Sequence, residues 1–131
     1  MRERLETILL AHLKAQLPDA LKSMLAKGHT DDDRHIPYIS LDVGEIKPFG
    51  ELAGDDGIFE AEVSIAIADS AHDIRYGELF KRIRSVISAF ADFAYEDDEI
   101  LVNALWYEGE DDARDENNMG CVLTYKAVMQ F

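Results

Sequence analysis

The stretch Ile58–Ala68 reads IFEAEVSIAIA. Phe59, Ala61, Val63, Ile65 and Ile67 fall on one side of an extended chain. Glu60, Glu62 and Ser64 fall on the other. A period of two with one wet side marks a half-buried β-strand, because successive side chains leave a strand on opposite faces. A helix is expected next, over Arg75–Ala94, with Asp73 as a candidate cap. Its apolar stripe is Leu79, Phe80, Ile83, Val86, Ile87 and Phe90, while Lys81, Arg82 and Arg84 lie off it.

Upstream, Arg2–Leu17 reads as a helix. Leu5, Ile8, Leu9, His12, Leu13, Gln16 and Leu17 share one face, and Pro18 should end or kink it. A further helical turn is expected around Leu21, Met24 and Leu25, with Gly28 as its stop. His29–His35 (HTDDDRH) reads as a polar loop. Ile36–Val43 reads as a strand with Pro37 at its start or on an edge. Gly44–Gly57 holds five Gly or Pro residues and reads as a connection, with a short extended piece at Glu45–Phe49.

Downstream, Glu96–Glu99 is acidic punctuation and Ile100–Tyr107 is apolar and aromatic enough for a strand. Glu108–Asn118 reads as a loop with six acidic residues and one arginine. Met119–Phe131 closes the chain as a strand. Its two rows are both partly apolar, which implies cover on two faces or one face awaiting a partner subunit. The predicted order is α-β-β-α-β-β. Neighbouring strands should pair as hairpins, giving an α+β fold with a mainly antiparallel sheet of about four strands. The two main helices are expected on one face.

Length points to one domain over residues 1–131. A chain of this size buries enough surface to need no metal or disulfide staple. The lone cysteine, Cys121, lies in an alternating apolar run and reads as a small buried hydrophobe. Glu3 and Glu6 near the start argue against a signal peptide, and no apolar run reaches the length of a membrane span. The formal net charge is -14. That argues against ordinary phosphate-backbone binding and favours solubility, repulsion of nucleic acid, or a basic partner.

No motif carries catalysis. His29, Asp31, Asp32, Asp33 and His35 are potential metal ligands, but they lack zinc-finger or metalloprotease spacing, so a solvated loop is expected. Glu108–Glu116 lacks the calcium-loop pattern. There is no nucleophile elbow, and His12 reads as a partly buried, satisfied histidine. His72 is expected near a helix start. Gly54 and Gly57 flank Asp55 and Asp56, whose charge repels a phosphate. No enzyme activity, metal or cofactor is expected. Trp106 and Tyr107 belong either to the core or to a subunit interface, where such residues are enriched.

An amphipathic helix (RERLETILLAHLKAQL) precedes the strands. A strand (FEAEVSIAIA) leads into a central helix (GELFKRIRSVISAF), an aromatic strand (NALWYEG), an acidic loop with Asn117, Asn118 and Gly120, and a closing strand (CVLTYKAVMQF). Over nearly its whole length the chain is similar to the tail-terminator and tail-completion proteins of long-tailed bacteriophages and prophages. These minor tail proteins cap the tail tube, and head–tail connector and neck proteins share much of the same look. The resemblance implies an α+β subunit assembling as a ring, usually of six. It implies tail tube and head–tail connector or neck proteins as partners, and a place in the virion tail after assembly in the host cytoplasm. No catalysis is implied.

In that setting acidity has a physical use. A carboxylate-lined lumen repels passing DNA. Glu108, Glu110, Asp111, Asp112, Asp115 and Glu116 are the candidate lumen or loop carboxylates. Lys81, Arg82 and Arg84, with Trp106 and Tyr107, are the candidate interface residues, the cations meeting acidic loops of a neighbour. The other readings are an acidic interaction module, such as a DNA mimic or an inhibitor of a basic protein, and a small enzyme built on His29 and His35.

Overall fold

The computed structural model describes residues 1–27, 38–50, 57–70, 76–112 and 118–131. In chain order the elements are α1 (Arg2–Gln16), α2 (Asp19–Lys22), β1 (Leu25–Lys27), β2 (Tyr38–Val43), β3 (Lys47–Pro48), β4 (Ile58–Ser70), α3 (Tyr76–Ala89), β5 (Tyr95–Glu96), β6 (Leu101–Asp112) and β7 (Asn118–Gln130). The HTDDDRH group, Ile36, Pro37, Gly54 to Asp56, His72, Asp73, Arg75, Asp115 and Glu116 lie outside the described residues.

The expected alternating strand is the centre of the sheet. β4 pairs with β7 in unbroken antiparallel register, from Ile58 opposite Gln130 to Ser70 opposite Asn118. β2 flanks β4 and β6 flanks β7, giving the order β1-β2-β4-β7-β6-β5. Both expected hairpins are present, β2/β3 with β4 and β6 with β7. The fold is α+β and its sheet is mostly antiparallel. β1 alone runs parallel to its neighbour, β2.

The structure differs in detail from the expected helices and four or so strands. β1, β3 and β5 are additional strands of two or three residues. β3 carries on from β2 along the same edge of β4, after the pairing slips by one residue between Val43 and Lys47. β6 runs on through Glu108–Asp112, so this segment is strand and not loop. The helix expected to reach Ala94 ends at Ala89. Phe90 and Phe93 turn inward there and are buried, and Asp92 adopts a left-handed conformation (φ 58°) that aspartate tolerates better than most residues.

The core lies on one face of the sheet. Ile39, Leu41, Val43, Ala61, Val63, Ile65, Ile67, Cys121, Leu123, Tyr125, Ala127 and Met129 form its floor. Leu5, Ile8, Leu9 and Leu13 of α1 and Leu79 and Val86 of α3 close it from above. Each fully buried Leu, Ile, Val or Met among them contributes about 1.5–3 kcal/mol by leaving water. α1 stops where expected: Leu17, before Pro18, turns to extended backbone, and its amide still reaches the Leu13 carbonyl at 2.8 Å. At the other end of α1, the Arg2 guanidinium donates to the Val43 carbonyl at 2.6 Å and fastens the helix to β2. His12 is satisfied as expected. Its Nε2–H donates to the Ala89 carbonyl at 2.6 Å, and its ring packs on Phe90 and Phe93. A side chain of α1 thus caps the last turn of α3.

Candidate interaction surface

β6 is an edge strand for most of its length. β5 covers only Leu101 and Val102; beyond them β6 has β7 on one side and no strand on the other among the described residues. An edge presents a row of backbone donors and acceptors to any approaching chain. The pairing with β7 slips by one residue at Asn103 and again at Glu108. Such bulges twist the edge and re-aim the side chains that follow. Gly109, just past the second slip, has φ 147°, a conformation that side-chain-bearing residues rarely adopt.

Trp106 and Tyr107 sit between the two slips, on opposite faces of the sheet, 50% and 44% exposed. They are therefore neither fully core nor free. On the face away from the helices, Phe49 meets Trp106 edge-on at 6.2 Å. On the same face Val128 is buried outside the main core. Beside it Glu60 lies 3.6 Å from Lys126 and 3.8 Å from Lys47. The second apolar row expected in the last strand thus has partial cover within the chain. On the helix face Tyr107 leans edge-on against Tyr125 at 5.4 Å, and Tyr125 leans on Phe90 at 5.5 Å. Burial pushes the Tyr125 hydroxyl up to about 12. Among the described residues this hydroxyl and that of Ser40 are buried without a hydrogen-bond partner.

Past Tyr107 the edge turns acidic. Glu108, Glu110, Asp111 and Asp112 are exposed. Glu110 accepts a weak bond from the Cys121 thiol at 3.5 Å. Cys121 is buried, as the sequence suggested, and burial together with this carboxylate pushes its thiol up to about 12. A thiol held un-ionised is a poor nucleophile. Native protein should therefore resist iodoacetamide at pH 8 and react fully once unfolded in urea, as read by intact mass. Rapid labelling of the folded protein would contradict this placement.

The three candidate cations part company on α3. Arg82 forms an ion pair with Asp69 of β4, the two side chains only 18% and 7% exposed. The pair ties α3 to the sheet, so Arg82 is an internal fastening rather than a surface cation. Lys81 and Arg84 are exposed. The Arg84 guanidinium lies 5.7 Å from the centre of the Phe80 ring, and Phe80 is itself 51% exposed. An open groove of about 400 Å³, lined by Gln16, Pro18, Arg84, Ser85 and Ser88, runs beside this patch. Sequence reading put Phe80 on the apolar stripe. Its position beside Leu79, which takes the core place, was the available sign that it faces outward.

A second polar cluster joins α1 to the turn after β5. Asp97 Oδ1 accepts the amides of Glu99 and Ile100 at 2.7 and 2.9 Å. Asp97 Oδ2 accepts the Tyr95 hydroxyl at 2.8 Å and pairs with Arg4. The backbone amides first, then Tyr95 and Arg4, hold the Asp97 carboxyl well below the usual range. A carboxylate with a depressed folded-state pKa adds stability above its unfolded value of about 4 and loses it as pH falls further. The stability gap between wild type and Asp97→Asn should be constant from neutral pH to about pH 5 and shrink below about pH 4. Urea titrations across that range check this, and a gap unchanged down to pH 2.5 would rule it out.

Among the described residues no three His, Cys, Asp or Glu side chains come together as a metal site, and no helix is long and apolar enough to cross a membrane. The chemistry on display is an aromatic edge running into carboxylates, and an aromatic patch flanked by cations. No protein-family model matches the chain, and no curated protein matches it.

Proposed function

We propose that this protein is a structural phage or prophage tail subunit that caps the tail tube as a ring, ends tube polymerisation and joins the tail to the head or neck. It acts by assembly, without catalysis or cofactor. The observation that carries the reading is the β6 edge, which no strand among the described residues covers past Val102, with Trp106 and Tyr107 half exposed on its two faces. Large aromatics on an unpaired edge suit a strand or surface that is covered in the assembled state. The element order that resembles tail terminators gives the assembly its kind. In that setting the exposed carboxylates Glu110 and Asp112 of β6 belong near the lumen, where they repel DNA in transit. The protein then resides in the virion tail after assembly in the host cytoplasm.

Mixed with the polymerising tube protein of its own phage or prophage, the protein should shorten the tubes and add density at one end, seen by electron microscopy. Unchanged lengths and bare ends would reject the capping role.

The run Glu108, Glu110, Asp111 and Asp112 on one strand also favours a second reading, an acidic module that binds a basic protein. Salt-dependent binding to a nucleic-acid-binding protein, competed by DNA, would favour it. A head–tail connector or neck role is the nearest neighbour of the leading reading. Density on the head-facing connector rather than on tube ends separates the two.

A further inference from the structure

We infer that the β6 edge of one copy docks on the α3 patch of the next, Trp106, Tyr107, Glu108 and Asp111 meeting Phe80, Lys81 and Arg84. The inference rests on the ring reading above and names its contact. The two patches are built alike with opposite sign. Each has an exposed aromatic beside exposed charges, carboxylates following Tyr107 on β6 and the cations Lys81 and Arg84 following Phe80 on α3, where Glu78 is the one exposed carboxylate of the first turn. Among the described residues Glu108 and Asp111 have no cation, and Lys81 and Arg84 have no carboxylate. Arg82 takes no part, because Asp69 already holds it.

Charge selects the partner. Two β6 edges brought together would juxtapose carboxylates and two α3 patches would juxtapose Lys81 and Arg84 with their copies, and like charges brought face to face repel. Only unlike patches match. A contact between unlike patches is heterologous: every copy offers one of each, so addition continues head to tail until a ring closes. This avoids the obstacle of the -14 charge, since repulsion between copies is relieved where they touch. Arg84, already stacked near Phe80, offers its guanidinium plane to the indole of Trp106.

The test uses two charge-reversed variants, Lys81→Glu/Arg84→Glu and Glu108→Lys/Asp111→Lys, followed by sedimentation velocity at low salt. All four side chains are exposed, and unchanged melting curves verify folding. Each variant alone should associate at least about tenfold more weakly than wild type, because its two patches now carry the same sign. An equimolar mixture should reassemble, since each variant's altered patch complements the other's. A merely structural role for these residues gives no such rescue. If wild type assembles and both variants assemble equally well, this contact is wrong while the ring reading stands. A wild type that stays monomeric at every concentration overturns both.

Discussion

Replacing Leu9 with alanine is expected to lower the unfolding free energy by about 3 kcal/mol. Leu9 is fully buried, and lies one turn from both Leu5 and Leu13, which are buried too. These side chains seat α1 on β1 and β2. The truncation removes the transfer energy of the lost carbons and leaves a cavity that helix and sheet can only partly close. Lys14→Ala on the exposed side of the same helix should change stability by no more than about 0.5 kcal/mol. Urea denaturation followed by circular dichroism separates the two. Equal midpoints would mean that α1 is not part of the core.

Arg82→Ala should cost a similar amount, about 3 kcal/mol, through a different cause. Asp69 is buried near the end of β4 and Arg82 is mostly buried on α3. Removing the guanidinium takes its cation from a carboxylate only 7% exposed, and losing one partner of a buried pair costs more than the intact pair contributes. Removing both partners should therefore be milder than removing Arg82 alone. The same denaturation experiment reads all three variants. An Arg82→Ala protein as stable as wild type would show that the pair fastens nothing.

The sequence made the fold legible where its period was clean. The strand through Val63 and Ile65, the helix through Leu9 and Leu13 and the closing strand through Leu123 and Tyr125 all stand within about two residues of their expected bounds. Legibility failed where the period was short or broken. β3 and β5 have two residues each and β1 three, too few to show alternation. β6 hid its second half for two reasons. The slips at Asn103 and Glu108 each shift the inside–outside rhythm, and Asp and Glu are unfavourable strand residues. The fate of Arg82 was not legible at all. Spacing put it off the apolar stripe, and only the tertiary fold brings Asp69 beside it. Trp106 and Tyr107 were poised between core and interface in the sequence, and in the structure each has one side on its own chain and one side exposed.

Among the described residues β6 presents half-exposed aromatics on an edge that no strand covers past Val102, and α3 presents Phe80 beside Lys81 and Arg84; both surfaces belong to the proposed assembly. Native mass spectrometry of the purified protein at low salt tests it most directly. Ring assembly predicts one closed oligomer with a fixed number of 14.8 kDa subunits, six by resemblance to tail terminators, that does not grow with concentration. A single 14.8 kDa species at every concentration would contradict it.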